Sequence, residues 1–523
     1  NMGECGMKFD RTKNALRNII FGLLQRIYQL IVPFAMRTAM IYWLGVEYLG
    51  LDGLFISVLS VLNLAELGVG SAMVYSMYKP VAEDDRTTIC ALMKLYKIYY
   101  RVIGLVVLVG GLILCPFIPK LISDELPAGM NVYILFLLNL GATVLSYWLF
   151  AYKNSILQAY QRADVVSKVT MVVNTIRYAA QFVILFFQHD YYMYLIVTLV
   201  SQAGINIATA VVAEKIYPHL KPEGSIPDEQ KKVINGRIRD LFTSKIGSVI
   251  VNSVDTIVVS AFLGLTVLAV YQNYYYIITA LLSIVNILIF SCISGIGNSI
   301  ITETKEKNFA DLKTFTFIIS GMACFCTTCL LTIYQPFMKL WVKKEELMFA
   351  YPAVICFSVY FFIVEVNTLL NAYKDAAGIW HEDRFRPLVT AIVNLCLNLI
   401  MVQFWGIYGI LLSTVLSMLL VGMPWLLKNL FSTIFEKQML GQYLIPLGKY
   451  IGATGAVVVV SICICTLLRP SGIAAIVVNA LISGGITLIV FYLLFRKSEE
   501  FKRAIGIIDR VTRGKFKLNK RIK

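Results

Sequence analysis

Residues 23–43 read LLQRIYQLIVPFAMRTAMIYW, an apolar stretch that nonetheless holds two permanent charges, Arg26 and Arg37. At about 1.5 Å per residue, a helix of this length crosses the roughly 30 Å of hydrocarbon in a bilayer. A charge at the bilayer centre costs about 2.5–3.5 kcal/mol on insertion scales, so an arginine there faces an acidic partner or a wet cavity. The two arginines lie 11 residues apart. That is three turns plus about 20°, which sets them on one helix face about 16 Å apart, with Pro33 between them able to bend the helix.

The rest of the chain belongs to the same solvent. Of 523 residues, 58% are hydrophobic and 15% charged, against about 45–50% and about 25% in a soluble domain. So little charge cannot solubilise a chain of this size, and the sequence reads as a membrane protein. Apolar blocks of spanning length recur at about 17–43, 52–77, 88–118, 130–152, 164–187, 191–214, 240–263, 267–299, 311–338, 348–372, 386–404, 406–430, 447–468 and 472–495. The expected fold is an all-α polytopic membrane protein with about 14 transmembrane helices. The basic N-terminal residues lead into a full-length span, so no cleavable signal peptide is expected.

Orientation follows from the loops. Lys79, Arg86, Lys153, Arg162, Lys168, the run from Lys215 to Lys245, Lys305, Lys374, Arg384, Arg386, Lys428 and Lys437 all fall on one side. Only Lys120, Lys339, Lys343, Lys344 and Arg469 fall on the other. Basic loops stay cytoplasmic, so both termini are expected in the cytoplasm. The net charge of +16 reflects this topology and the basic tail at 496–523, which suits an anionic inner leaflet better than a nucleic acid.

The longest polar interruption, YPHLKPEGSIPDEQKKVINGRIRD (217–240), separates six spans from the next six. The two halves repeat one another. WLGVEYLG (43–50) matches FLGLTVLA (262–269), LQAYQ (157–161) matches LNAYK (370–374), and VTMVVN (169–174) matches VTAIVN (389–394). We therefore expect an N-lobe at 1–216, a cytoplasmic linker at 217–239, a C-lobe at 240–430 and two appended spans within 431–495. Six spans return the chain to its starting side, so the halves would be parallel copies with a substrate site between them at the midplane.

Charges inside the spans are the candidate site. Arg177 lies near the middle of the fifth span and, like Arg37, has no comparably placed acid in the first half; both are assigned to a cavity. Arg26 and Glu66 fall at similar depths in adjacent spans. Arg26 is thus either the structural partner of Glu66, which would pair or gate, or a third cation for the substrate. The repeat sets Arg177 opposite Leu397 and Arg37 opposite Thr256, leaving the first half cationic. Excess positive charge between apolar walls suits a phosphate or diphosphate, because Arg offers paired donors matched to phosphate oxygens. Asn252, Asp255, Thr390, Asn394 and Asn398 offer oxygen ligands for a sodium ion, or else cross-link helices. Asp255 and Glu365 are alternative proton carriers.

LGVEYLGLDGLF and NLAELGVGSAMVYSM within 44–77, the AYQRAD (159–164) and AYKDAAG (372–378) turns, and the fourteen apolar blocks make residues 14–430 resemble the polysaccharide-type flippases of the multidrug/oligosaccharidyl-lipid/polysaccharide exporter superfamily. The resemblance implies transport of undecaprenyl-diphosphate-linked oligosaccharide repeat units from the inner to the outer leaflet of a bacterial plasma membrane. It further implies a cationic cavity and, as partners, the lipid-linked substrate, membrane lipids and a polymerase of the same pathway. By analogy with the related lipid II flippases, the last two spans would hold a lipid tail. A lipid II-type precursor flippase, a multidrug cation exporter and a lipid scramblase are the alternatives.

Enzymatic signatures are lacking. There is no glycine-rich phosphate loop followed by Lys-Ser/Thr, the three histidines, His189, His219 and His381, lie far apart, and the cysteines form no metal or disulfide pattern. No cofactor is expected beyond a possible coupling Na+ or H+.

Overall fold

The computed structural model describes residues 11–511 except 125, 128 and 469; the side chains of 11–23, 244, 248, 252, 291, 294, 508, 510 and 511 lie outside the described ones. Among the described residues all regular structure is helical. The chain forms two compact units that divide after Ala269.

The first unit holds α1 (Arg11–Trp43), α2 (Val46–Leu62), α3 (Val69–Ala82), α4 (Arg86–Leu114), α5 (Val132–Trp148), α6 (Tyr152–Ala159), α7 (Ala163–Phe187), α8 (Tyr191–Ile216) and α9 (Asp228–Leu263). The helix α10 (Leu265–Thr302) begins there and runs into the second unit. The second unit continues with α11 (Lys305–Val342), α12 (Tyr351–Ala376), α13 (Arg386–Trp405), α14 (Ile407–Ser417), α15 (Met423–Thr433), α16 (Met439–Leu468), α17 (Gly472–Phe495) and α18 (Glu499–Val511). A π-helical turn at Met418–Gly422 joins α14 to α15. Twelve helical segments among the described residues are long and apolar enough to cross a membrane, and thirteen if α5 and α6, bent by 54°, form one broken span. The remaining expected span is α1, which holds the opening stretch with Pro33 inside it. The protein is a multi-pass membrane protein.

The internal repeat has a backbone counterpart. The WLG and FLG segments each end a helix at a glycine with positive φ, Gly45 at 133° and Gly264 at 93°, a conformation that a Cβ disfavours. LQAYQ closes α6 and LNAYK lies toward the end of α12; VTMVVN and VTAIVN lie in the helices that follow, α7 and α13. Each of these junctions is fastened by one buried aspartate. Asp164 takes Arg162 at 3.0 Å and Lys168 at 3.4 Å. Asp383 takes Arg386 at 2.6 Å, Lys374 at 3.7 Å and the Asn429 amide at 2.9 Å. These buried carboxylates are paired on more than one side, as a buried charge requires.

Two features of the packing bear on the expected divisions. The contact-defined boundary falls after Ala269 rather than in the 217–239 linker, because α9 packs along α2 and α3. At one end of α9, Arg237 lies over the Tyr75 ring at 4.6 Å and Tyr99 donates to Asn235 at 2.7 Å. At the other, the Ser260 hydroxyl donates to the Leu121 carbonyl at 2.6 Å and the Leu265 amide to Asp124 at 2.8 Å. There is no room for a side chain at Gly50, whose Cβ would meet the Leu265 carbonyl oxygen at 2.3 Å. The tail from 496 begins with the helix α18. It docks on α11 through Lys313–Glu500 at 3.2 Å, Arg503–Asp311 at 3.8 Å and Phe501 against Phe317. Residues 512–523 of that tail lie outside the described residues.

Candidate functional site

Arg37 is placed by a helical hairpin. The helices α1 and α2 turn about Gly45; Arg37 lies eight residues before it and Asp52 seven after it. At about 1.5 Å per residue both sit roughly 11 Å from the turn. Trp43 packs edge-on against Phe182 and Phe186 of α7, with ring centroids 4.9 and 5.4 Å away. Arg37 is six residues before Trp43 and Arg177 five before Phe182, so those two side chains leave their helices at similar depth. On the other side Tyr48 packs against Tyr191 of α8 at 5.2 Å, and Asp52 follows one turn after Tyr48 on the same face.

The result is three ionisable side chains, Arg37, Asp52 and Arg177, at similar depth among packed aromatics. Asp52 stands in the field of both Arg37 and Arg177, and Tyr194 in the field of all three. All three charged side chains are half-buried. The Arg177 guanidinium lies 4.3 Å from the centre of the Tyr178 ring. Tyr28 of α1 reaches Thr175 of α7 at 3.1 Å, and Gln181 ties α7 to Thr198 of α8 at 2.8 Å. Within this framework Arg177 Nε and Asn174 Oδ1, three residues apart on one face, are buried with no hydrogen-bond partner. A buried N–H without an acceptor is rare and costs about 1–3 kcal/mol.

Sequence reasoning left Arg37 and Arg177 without an acid in the first half. Asp52 supplies one at similar depth; its signal, seven residues past Gly45 against eight before it for Arg37, becomes readable only once the helices are known to turn there. The proposed partnership of Arg26 with Glu66 is also corrected. Glu66 lies in the 3-10 turn Asn63–Glu66 that interrupts the second span, and accepts the Tyr100 hydroxyl at 2.7 Å. The Tyr96 and Tyr100 rings are 4.4 Å apart, Tyr147 bonds Asn63 at 2.9 Å, and Lys245 of α9 is within electrostatic range of Glu66. Arg26 is exposed on α1.

The other candidates divide between the units. Asp255 is buried on α9, in the first unit; the Asn252 side chain lies outside the described ones. In the second unit Thr390, Asn394 and Asn398 are buried. Asn394 donates to Thr414 at 3.0 Å, Asn398 donates to Asn394 at 3.3 Å, and Ser413 donates to Asn398. This ladder joins α13 to α14, the cross-linking role open to such residues from the start. Thr390 bonds its own helix at the Arg386 carbonyl, 2.8 Å away. Glu365 on α12 has no exposed surface and neither carboxyl oxygen has a hydrogen-bond partner. Among the described residues no group of three metal-ligating side chains comes together, and the described cysteines are free thiols. A cavity of about 800 Å³ opens between the ends of α11 and α17, lined by Gln335, Leu340, Met348, Phe349 and Ala475. Its lysine, Lys339, is paired with Glu345 at 3.5 Å.

No family model and no curated protein matches the chain. Among solved structures it is similar to the lipid II flippase MurJ in an inward closed conformation, with a TM-score of 0.66 and 15% identity over 91% of this chain and 99% of that one. It is also similar to a mutant of the MATE transporter VcmN of Vibrio cholerae, with a TM-score of 0.54 and 15% identity over 80% of this chain and 98% of that one. A multidrug resistance MATE family transporter of the MOP superfamily in an inward-facing conformation gives 0.55 and 14% identity over 78% and 97%. These likenesses show that the chain shares the fold of those structures.

The geometry at Glu66 makes a testable distinction. In a double-mutant cycle on thermal stability, Glu66→Ala and Tyr100→Phe should couple by about 1–2 kcal/mol, while Glu66→Ala and Arg26→Ala should be additive. Coupling to Arg26 with additivity to Tyr100 would reverse the assignment.

Proposed function

We propose that the chain is a flippase that moves a polyprenyl-diphosphate-linked oligosaccharide from the inner to the outer leaflet of a bacterial plasma membrane, with both termini cytoplasmic. The observation that carries this reading is the Arg37–Asp52–Arg177 cluster, with its excess of positive charge and an Arg177 Nε that lacks an acceptor. A phosphate oxygen is the acceptor that such a donor matches best. A site for organic cations would need the opposite sign, which counts against a multidrug exporter. A lipid II-type precursor carries the same diphosphate and is the second reading, favoured by the likeness to MurJ over 91% of this chain. The apolar walls of the cavity beside α17 suit part of a lipid tail.

Arg37→Ala and Arg177→Ala, reconstituted in liposomes, should lower translocation of a lipid-diphosphate sugar by at least about tenfold, the loss expected from one charge-assisted contact of about 1.5–3 kcal/mol. Arg177→Lys should retain part of it, because a lysine supplies charge without the planar fork. Normal translocation by both alanine variants would reject the reading.

Transport would proceed by alternating access, in which contacts such as those of Ser260 with Leu121 and Ser123 break and re-form. With cysteines at positions 123 and 260 in a background without native cysteines, oxidation should stop translocation and reduction restore it. Unchanged flux in the crosslinked protein would point to a static groove.

Coupling to Na+ or H+ is assigned to Glu365, whose unsatisfied carboxyl oxygens leave it ready for a proton or cation, with Asp255 as the alternative. Under imposed sodium, proton or potential gradients, Glu365→Gln should lose a response that the wild type shows. A full response in that variant would move the coupling site to Asp255 or elsewhere.

A further inference from the structure

The helix α4 and the turn after it, Arg86–Leu121, form a span of 36 residues, too long to lie wholly in hydrocarbon. The sequence shows which part does. The 18 residues from Val102 to Pro119 carry no charge and reach at least about 27 Å as a helix, close to the roughly 30 Å of a bilayer core. Arg101 therefore stands at the boundary of the hydrocarbon, with Lys94 and Lys97 on the headgroup side. Their spacing puts the three cations on one helix face over two turns. Lys94 and Arg101 are exposed, and Lys97 is half-buried over the Tyr152 ring at 5.5 Å. None of the three makes an ion pair among the described residues, and the acids on neighbouring elements are taken: Glu214 by Lys153 at 2.7 Å, Asp84 by Arg86 at 3.7 Å and Glu83 by Lys79 at 3.8 Å.

Past Arg101 the same face turns apolar. Val102, Leu105, Val106, Val109, Leu112 and Ile113 are all exposed, a stripe at helical spacing that runs about 17 Å. That is about the depth of hydrocarbon in one leaflet. The break between α5 and α6 supplies a second wall. Trp148 donates its indole N–H to the Arg101 carbonyl at 3.1 Å and lies against Gly104, where there is no room for a side chain, yet it remains 42% exposed. Phe150 is exposed too and has a φ of 55° at the 54° bend, a left-handed conformation that a bulky residue rarely holds. Aromatic rings at this level are half in headgroups and half in acyl chains.

We infer that this face binds one anionic phospholipid, its headgroup received by Lys94, Lys97 and Arg101 and an acyl chain laid along the stripe beside Trp148. Charge selects the occupant, because three unpaired cations favour a headgroup with net negative charge over a zwitterionic one that brings its own cation. With the termini cytoplasmic, as proposed, the site lies in the inner leaflet. The bound lipid ties α4 to the bend of α5 and α6 and so stabilises the first unit. The inference is independent of the diphosphate reading, whose arginines are on α1 and α7.

The test reads the fluorescence of a full chain that retains Trp148 alone of its six tryptophans, the others changed to Phe, in phosphatidylcholine vesicles. Brominated acyl chains quench a tryptophan they touch. Brominated phosphatidylglycerol should quench with an apparent affinity at least about fivefold above that of brominated phosphatidylcholine, the gain expected from one cation at an anionic surface. Lys97→Gln with Arg101→Gln should bring the two lipids level, whereas Lys97→Arg with Arg101→Lys should keep the preference. Equal quenching by the two lipids before those changes, or a preference that survives the double glutamine variant, overturns the proposal. Inorganic phosphate and farnesyl diphosphate, each equimolar with the brominated phosphatidylglycerol, should leave the quenching in place. Relief by phosphate would make this a site for the free anion and relief by farnesyl diphosphate a port for the transport substrate, and either overturns the phospholipid. Should the single-tryptophan chain not fold, the thermal stability of the unaltered chain in nanodiscs makes the same comparison. Phosphatidylglycerol in place of phosphatidylcholine should raise Tm, and the double glutamine variant should gain less; no gain in the unaltered chain, or an equal gain in both, overturns the proposal.

Discussion

A guanidinium within a membrane span is costly unless something answers its charge, and the first unit is organised around meeting that cost for Arg37 and Arg177. The Gly45 hairpin brings Asp52 level with Arg37, and the aromatic seam of Trp43, Phe182 and Phe186 brings α7 to the same depth. Tyr48 and Tyr191 close the side toward α8. Asp52 stands in the field of both guanidinium groups, and two arginines against one acid give the site its proposed preference for an anion. The packing of four helices and the electrostatics of the site are thus one arrangement.

The two halves have kept the same scaffold and different chemistry. Both turn at a positive-φ glycine, and both fasten a junction with a buried, doubly paired aspartate, Asp164 in one and Asp383 in the other. Where α7 carries Arg177, the repeat places Leu397 on α13, and α13 is held to α14 by neutral Asn394 and Asn398. Besides the paired Lys374, Asp383 and Arg386, an ionisable group lies in the interior of the second unit at Glu365, whose carboxyl oxygens are without a hydrogen-bond partner. A duplicated frame that carries Arg177 in one copy and Leu397 in the other is consistent with the proposed function, in which the anion is bound on one lobe.

Much of the fold was legible in the sequence because bilayer thickness imposes its own ruler: each expected span corresponds to a helix or a broken pair, and the three repeated motifs fall at equivalent helix ends and starts. The two arginines were legible for the same reason, since a charge in an apolar run is conspicuous. Asp52 was not, because LGLDGLF sits at the start of a span, where an acid is ordinary; only the hairpin makes its depth equal to that of Arg37. The partner of Glu66 was misassigned because depth along two helices does not say which faces meet, and a 3-10 turn at Asn63–Glu66 changes the face again. The linker marked a break in polarity, whereas the compact unit ends after Ala269 because the side chains of α9 pack on α2 and α3.

The central claim, that Arg37 and Arg177 receive a lipid diphosphate, is tested most directly by determining the structure of the full chain in nanodiscs with farnesyl diphosphate bound. Phosphate oxygens should lie within about 3 Å of Arg177 Nε and of the Arg37 guanidinium. Diphosphate density resting elsewhere would contradict it.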